Sequence, residues 1–190
     1  AGSSWNPRIL GICFDAMVFD PRDPDRLYFI LDKGYRSLDG GLSIEPIHPM
    51  WGWALALDPS PGGALYLGTG NGIVRSWDQG DTFQDASFGV TSYMWSLQVS
   101  PTEPGTIYAG DGSGYFNRRR SGEAAWQQLG LACDNLVDLA VTTATDPPTF
   151  FAAACGALWR STDEGVPWHS LQTGSIIWTV VVDPAKPLNL

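Results

Sequence analysis

Two sets of side chains in this 190-residue chain are of a type and spacing that could do chemistry. Trp53, Trp95 and Trp178 fall at one recurring position, shared with Asp15 and Val137, and Trp51 lies two residues before Trp53, on the same face of an extended strand. Indole rings grouped in this way can stack on sugar faces or anchor a protein partner, and they can equally fill the wedge between neighbouring sheets. Acids form the second set. Asp32 and Asp111 stand in short loops between apolar runs, at the same end of the repeat as the tryptophans. A further group of carboxylates has a different target. In Ser37, Asp39 and Gly41, in Ser76, Asp78 and Gly80, and in Ser161, Asp163 and Gly165, the Asp accepts backbone N–H groups of its own turn. The Ser hydroxyl adds a bond, and the Gly takes the positive φ that the turn requires. Nothing in that arrangement demands catalysis.

The elements that position these residues follow from their period. Each box ends on a large apolar residue, Ile44, Phe83 and Trp168, with a worn copy from Arg119 to Trp126. These closing residues step by 39, 43 and 42, and Trp5 lies 39 before Ile44. They are expected to plug the gaps between adjacent sheets. The flanks recur as well. Apolar runs at Met17–Phe19, Leu55–Leu57, Leu97–Val99, Leu139–Val141 and Val180–Val182 read as buried strands. Second strands open at Leu27, Leu65, Ile107 and Phe150, third strands at Gly34, Gly72, Gly114 and Gly156, and the box turns the chain into a fourth. A unit of four antiparallel strands in about 40 residues is the signature of a β-propeller blade.

The predicted fold is therefore all-β. Blades span 15–50, 51–94, 95–135 (with the degenerate box) and 136–176, residues 1–14 form the outer strand of a preceding or closing blade, and 177–190 begin a further one. About four blades predict part of a larger propeller.

Composition narrows the function classes. With 22 Gly, 14 Pro and 9 Trp, the chain is turn-rich and aromatic rather than helical. A net charge of −9 and only two lysines, Lys33 and Lys186, argue against a nucleic-acid partner. The run Arg118–Arg120 reads as a solvated strand and turn. No stretch approaches the ~20 apolar residues of a membrane-spanning helix. Cys13, Cys133 and Cys155 allow one internal disulfide; Cys133 and Cys155 lie at neighbouring strand ends of one blade, while three buried thiols are the other reading. Their spacing matches no zinc pattern, so neither a metal nor another cofactor is expected. The opening Ala1-Gly2-Ser3-Ser4 has no secretion-signal character, as in a mature chain after cleavage.

The boxes resemble the Asp-box, or BNR, repeat of sialidases, sortilin-type receptors, photosystem assembly factors and xyloglucanase-type glycoside hydrolases. The resemblance implies that Asp39, Asp78 and Asp163 are fold-forming rim residues remote from an axial site. It also implies a secreted, periplasmic or cell-surface location. The stretch from Trp5 through Asp15, Asp32 and Arg36 is similar to the opening blade of xyloglucanase-type enzymes, which makes Asp32 the counterpart of a catalytic acid. Glycoside hydrolysis of the inverting kind needs a second carboxyl roughly 6.5–9.5 Å away, for which Asp15 and Asp111 are the local candidates. Sialidases use three arginines and a Glu-activated Tyr; here Glu45, Glu103, Glu123 and Glu164 all fall in turns or boxes, so that chemistry is excluded. The favoured reading is a non-catalytic binding scaffold for a protein or glycan, with Trp51, Trp53, Trp95 and Trp178 as its ligand-binding residues. The alternative is part of a glycoside hydrolase.

Overall fold

The computed structural model describes residues 14–100, 102–131, 136–142, 145, 147–174 and 176–183. Among them lie four antiparallel four-stranded sheets in chain order, with no helix. The first holds β1 (Ala16–Asp20), β2 (Asp23–Ile30), β3 (Gly34–Ser37) and β4 (Glu45–His48). The second holds β5 (Gly52–Leu57), β6 (Leu65–Thr69), β7 (Gly72–Ser76) and β8 (Gln84–Asp85). In the third are β9 (Met94–Val99), β10 (Ile107–Asp111), β11 (Phe116–Arg119) and β12 (Gln127–Gln128), and in the fourth β13 (Leu136–Thr142), β14 (Thr149–Ala154), β15 (Ala157–Ser161) and β16 (His169–Thr173). The first strands of successive sheets neighbour one another, β1 beside β5, β5 beside β9 and β9 beside β13, so the sheets stand face to face like blades.

Face-to-face stacking explains the apolar runs. A second strand is covered on both sides, and β6, β10 and β14 are buried along their whole length. First strands send one face to the sheet before them. Leu55 and Leu57 pack with Tyr28, Leu97 and Val99 with Ala54 and Tyr66, and Leu139 and Val141 with Tyr108 and Phe116. The residues that close the boxes do the same: Phe83, Trp126 and Trp168 each join the core shared with the preceding sheet. Ile44 departs from the expected plug and is 37% exposed, because among the described residues no sheet precedes the first. Met17 and Phe19, the counterparts of Leu55 and Leu57, are 52% and 56% exposed for the same reason.

Closest approach between sheets is set by matched sizes. Ile30 faces Gly52, Gly68 faces Met94 and Gly110 faces Leu136: a large residue meets a glycine each time. A Cβ on Gly68 would stand 2.7 Å from the Met94 Cβ.

The run Arg118–Arg120 corrects the sequence reading. It is not a solvated strand: Arg118 and Arg119 are buried. Arg118 forms an ion pair with Glu164 of the fourth sheet and bonds Gln127 Oε1 at 2.7 Å. Arg119 lies 3.5 Å from the Phe88 ring centroid, a cation–π contact with the second sheet. The cationic run is a clamp between sheets, which a reading of charge alone cannot distinguish from a wet surface.

Residues 176–183, expected to open a new first strand, carry no strand pairing among the described residues. They lie against the fourth sheet, where Val180 joins Ala140, Phe151 and Ala153 in a common core flanked by Ile177 and Val182.

Candidate functional site

The intact boxes are closed local circuits on the outer rim. Ser37 Oγ donates to Asp39 Oδ1 at 2.8 Å and accepts the Gly41 N–H at 2.9 Å, while Ser43 gives its N–H and hydroxyl to the two Asp39 oxygens at 2.8 and 2.6 Å. Asp78 repeats the pattern with Ser76, Gly80 and Thr82. Donors aimed at an ionised carboxylate favour its charged form. The Ser43 hydroxyl, then its amide and the Ser37 hydroxyl, hold Asp39 down to about 2, and the Thr82 hydroxyl leads the same effect on Asp78, also about 2. Gly41, Gly80 and Gly165 have φ of 87°, 98° and 90°. In the last box Pro167 occupies the place of Ser43 and Thr82 and has neither N–H nor hydroxyl, so Asp163 lacks those two donors. The Ser161 hydroxyl still accepts the Gly165 N–H at 3.1 Å. The third box, without its Asp, is held by Glu123, whose carboxylate accepts the Arg120 N–H at 2.7 Å and whose carbonyl accepts an Arg119 guanidinium N–H at 2.6 Å.

The recurring tryptophan position converges elsewhere, on a cavity of about 230 Å³ where the first strands meet. Asp15, Trp53, Trp95, Val137 and Trp178 all line it, with Asp138 and Thr179. Trp53 and Trp95 are 5.5 Å apart between ring centroids, and Tyr93 packs edge-on against Trp53 at 5.4 Å. Trp178 is 71% exposed. Trp51 is exposed but does not line the cavity. The turn after β10 closes onto the same cluster: Gly112 donates to the Tyr93 carbonyl at 2.8 Å, and a Cβ there would meet Trp95 Nε1 at 3.3 Å.

Two residues of this site escaped the sequence reading. Tyr93 stands two residues before Trp95 as Trp51 does before Trp53, so the repeated aromatic pair was visible in the sequence. Asp138 had no such signal. Its Oδ1 accepts Ser96 Oγ at 3.1 Å, and its Oδ2 accepts Thr179 Oγ1 at 2.7 Å and the Val180 N–H at 2.9 Å. One carboxylate thus ties β9, β13 and the segment that carries Trp178.

The candidate acids stand in different settings. Asp15 lines the axial cavity, with its backbone N–H on the Ile30 carbonyl. Asp32 is exposed in the turn between β2 and β3 and accepts the Tyr35 hydroxyl at 2.9 Å. Asp111 is buried and occupied by its own turn, accepting the Ser113 and Tyr115 N–H groups at 2.9 and 3.0 Å and Asn117 Nδ2 at 3.1 Å. That bonding suits a turn clasp, as in the boxes. Cys155 is disulfide-bonded; Cys13 and Cys133 lie outside the described residues, as do 1–13 of the predicted leading strand. Among the described residues no three His, Cys, Asp or Glu side chains group as a metal site, and no helix is long and apolar enough to cross a membrane.

No protein-family model and no curated protein sequence matches the chain. Solved structures do. An ancestral GH74 enzyme superposes with a TM-score of 0.69 at 14% identity, covering 92% of this chain and 28% of that one. A chain of a nidogen/laminin complex matches with a TM-score of 0.74 at 14% identity over 90% of this chain and 69% of its own. The fold is that of a β-propeller. YCF48 bound to D1 peptide shares it as well, with a TM-score of 0.60 at 19% identity over 88% of this chain and 58% of that protein. The propeller described here spans under a third of the length of the GH74 enzyme it matches. At these identities the likeness is one of fold, and propellers host both enzymes and binding modules.

Proposed function

We propose that this propeller is a non-catalytic Asp-box module that works outside the cytoplasm, binding a protein segment or a glycan at its axial mouth. The observation that carries this reading is the convergence of Trp53, Trp95 and Trp178 on one cavity, with Tyr93 packed against Trp53 and with Asp15, Ser96, Gln98, Asp138 and Thr179 as polar groups beside the rings. Indole faces flanked by polar groups can orient a sugar or a peptide segment by stacking and hydrogen bonding. The engagement of Asp111 by its own turn, and the place of Asp32 in the exposed turn between β2 and β3, support the non-catalytic reading. One neighbour is a chain of a nidogen/laminin complex and another is YCF48 bound to D1 peptide, which fits a scaffold role for the fold. The disulfide at Cys155 supports an oxidising compartment.

The test is a titration followed by tryptophan fluorescence and calorimetry, with xyloglucan and β-glucan oligosaccharides in one arm and the candidate protein partner's peptides in the other. The paired Trp53→Ala and Trp95→Ala variant is expected to lose at least tenfold in affinity while its circular dichroism and exchange protection stay native. Retained affinity in that variant refutes the axial mouth. Hydrolysis of either polysaccharide, abolished by Asp32→Asn, refutes the non-catalytic reading.

A further inference from the structure

A further cavity, of about 390 Å³, opens at the rim between the first and second sheets and shares no lining residue with the axial mouth. Arg22, Arg26 and Tyr28 line it on one side, and Leu57, Trp77 and Gln79 on the other. One hydroxyl sets this place apart. The strands β2, β6 and β10 carry a tyrosine at one repeat position, Tyr28, Tyr66 and Tyr108. The Tyr66 hydroxyl meets Arg75 and the Tyr108 hydroxyl meets Ser100. Tyr28 is only 1% exposed, yet its hydroxyl has no hydrogen-bond partner among the described residues. The reason lies one strand away. Arg36 stands opposite Tyr28 as Arg75 stands opposite Tyr66, but Glu45 at 2.6 Å and Asp81 at 2.7 Å draw its guanidinium off. Arg75 faces Ala124 at the box place of Asp81 and turns to its tyrosine. Burial holds the Tyr28 phenol above its ordinary value, so it stays protonated and can donate. A buried hydroxyl left without a partner calls for one, and the cavity is where a partner fits.

Charge around the cavity is balanced. Asp20 accepts Arg22 Nε at 2.8 Å and Arg26 Nη1 at 3.1 Å, and Asp23 accepts Arg26 Nη2 at 3.0 Å. Arg22 also gives Nη1 to the Ser60 carbonyl at 2.8 Å and Nη2 to Asp20 at 3.1 Å. A guanidinium has five N–H groups, so both arginines keep spare donors after these bonds. An anion finds the positive charge already answered, while a neutral ligand finds donors held in fixed positions. Trp77 adds an indole that is 52% exposed and is backed by Arg75 at 5.4 Å from the ring centroid. Donors and carboxylate acceptors beside an aromatic face match a sugar, whose C–H face stacks while its hydroxyls give and take bonds.

We propose that this rim cavity binds a neutral mono- or disaccharide, which stacks on Trp77 and bonds the Tyr28 hydroxyl and the spare N–H groups of Arg22 and Arg26. The site stands independently of the axial mouth. Its volume lies within the roughly 300–1,000 Å³ usual for small-molecule sites.

The test is a titration of the whole chain with methyl glycosides of glucose, galactose, mannose and xylose and with cellobiose, read at the Trp77 indole N–H by two-dimensional NMR. At least one probe is expected to shift that resonance in a saturable way. Tyr28→Phe removes only a hydroxyl that no protein group uses, so it is expected to weaken binding by about three- to tenfold while melting moves by less than about 1 °C. Trp77→Ala is expected to weaken binding by at least about tenfold with the fold intact. Tyr66→Phe, whose hydroxyl is already met, and the paired Trp53→Ala and Trp95→Ala variant are expected to leave rim binding unchanged. The proposal is overturned if no glycoside shifts the Trp77 indole, if Tyr28→Phe and Trp77→Ala bind as the parent does, if the axial variant abolishes the Trp77 response, or if inorganic phosphate or acetate binds there more tightly than every sugar.

Discussion

Asp39 and Asp78 hold their rim turns only while ionised, since three donors converge on each carboxylate. Both titrate at about 2 in the fold against an ordinary value of 3.8, so the unfolded chain binds the proton first as pH falls. Their contribution is complete above 3.8 and disappears as pH drops through about 2. Melting temperature measured at constant ionic strength is expected to fall across that window, and Asp39→Asn with Asp78→Asn is expected to flatten the fall. Asp163→Asn should change it less, because Pro167 withholds the two donors that Ser43 and Thr82 provide. Such turns were legible in the sequence because every bond in them closes within five residues. Asp138 was not, since Ser96 and Thr179 reach it from 42 and 41 residues away. Asp138→Ala leaves Thr179 and Val180 without their acceptor, which costs about 1–3 kcal/mol. Exchange protection at Val180 and the Trp178 fluorescence maximum are the measurements, with faster exchange and a red shift expected.

Among the elements, strand order and pairing followed from apolar runs and turn residues, because those are local choices that repeat. What the sequence hid is how one sheet touches the next. Gly68 looks like a weak point in a strand, yet its missing side chain is what lets β9 approach. Gly68→Ala would drive its Cβ into the Met94 backbone and Cβ, destabilising the chain by about 1–3 kcal/mol in chemical denaturation. The buried Arg118 was misjudged for a related reason. Its partner Glu164 lies 46 residues on, in another sheet, and an isolated run of three cations gives no hint of it. Glu164→Gln weakens the tie to both Arg118 and Arg120, and faster exchange is expected along β11 and in the turn from Ser161 to Val166.

For the whole molecule, the propeller class was readable from a period near 40 residues, while the state of its outer faces was not. Exposure of Met17 can be tested against its buried counterpart. Met17→Lys is expected to stay within about 0.5 kcal/mol of the parent, whereas Leu97→Lys places an unpaired charge in a core and unfolds most of the population at ambient temperature. Equal effects would mean that the first sheet is covered. The size matching between sheets has a different reach. Ile30 with Gly52, Gly68 with Met94 and Gly110 with Leu136 are three non-interchangeable couplings, so each blade carries an address for its neighbours. Moving the second blade to follow the third would set Gly52 against Gly110 and leave a hole where a side chain belongs. A lineage that grows such a ring by copying one unit must therefore alter both edges of the copy before the duplicate can settle, and blade order becomes heritable in a handful of glycines.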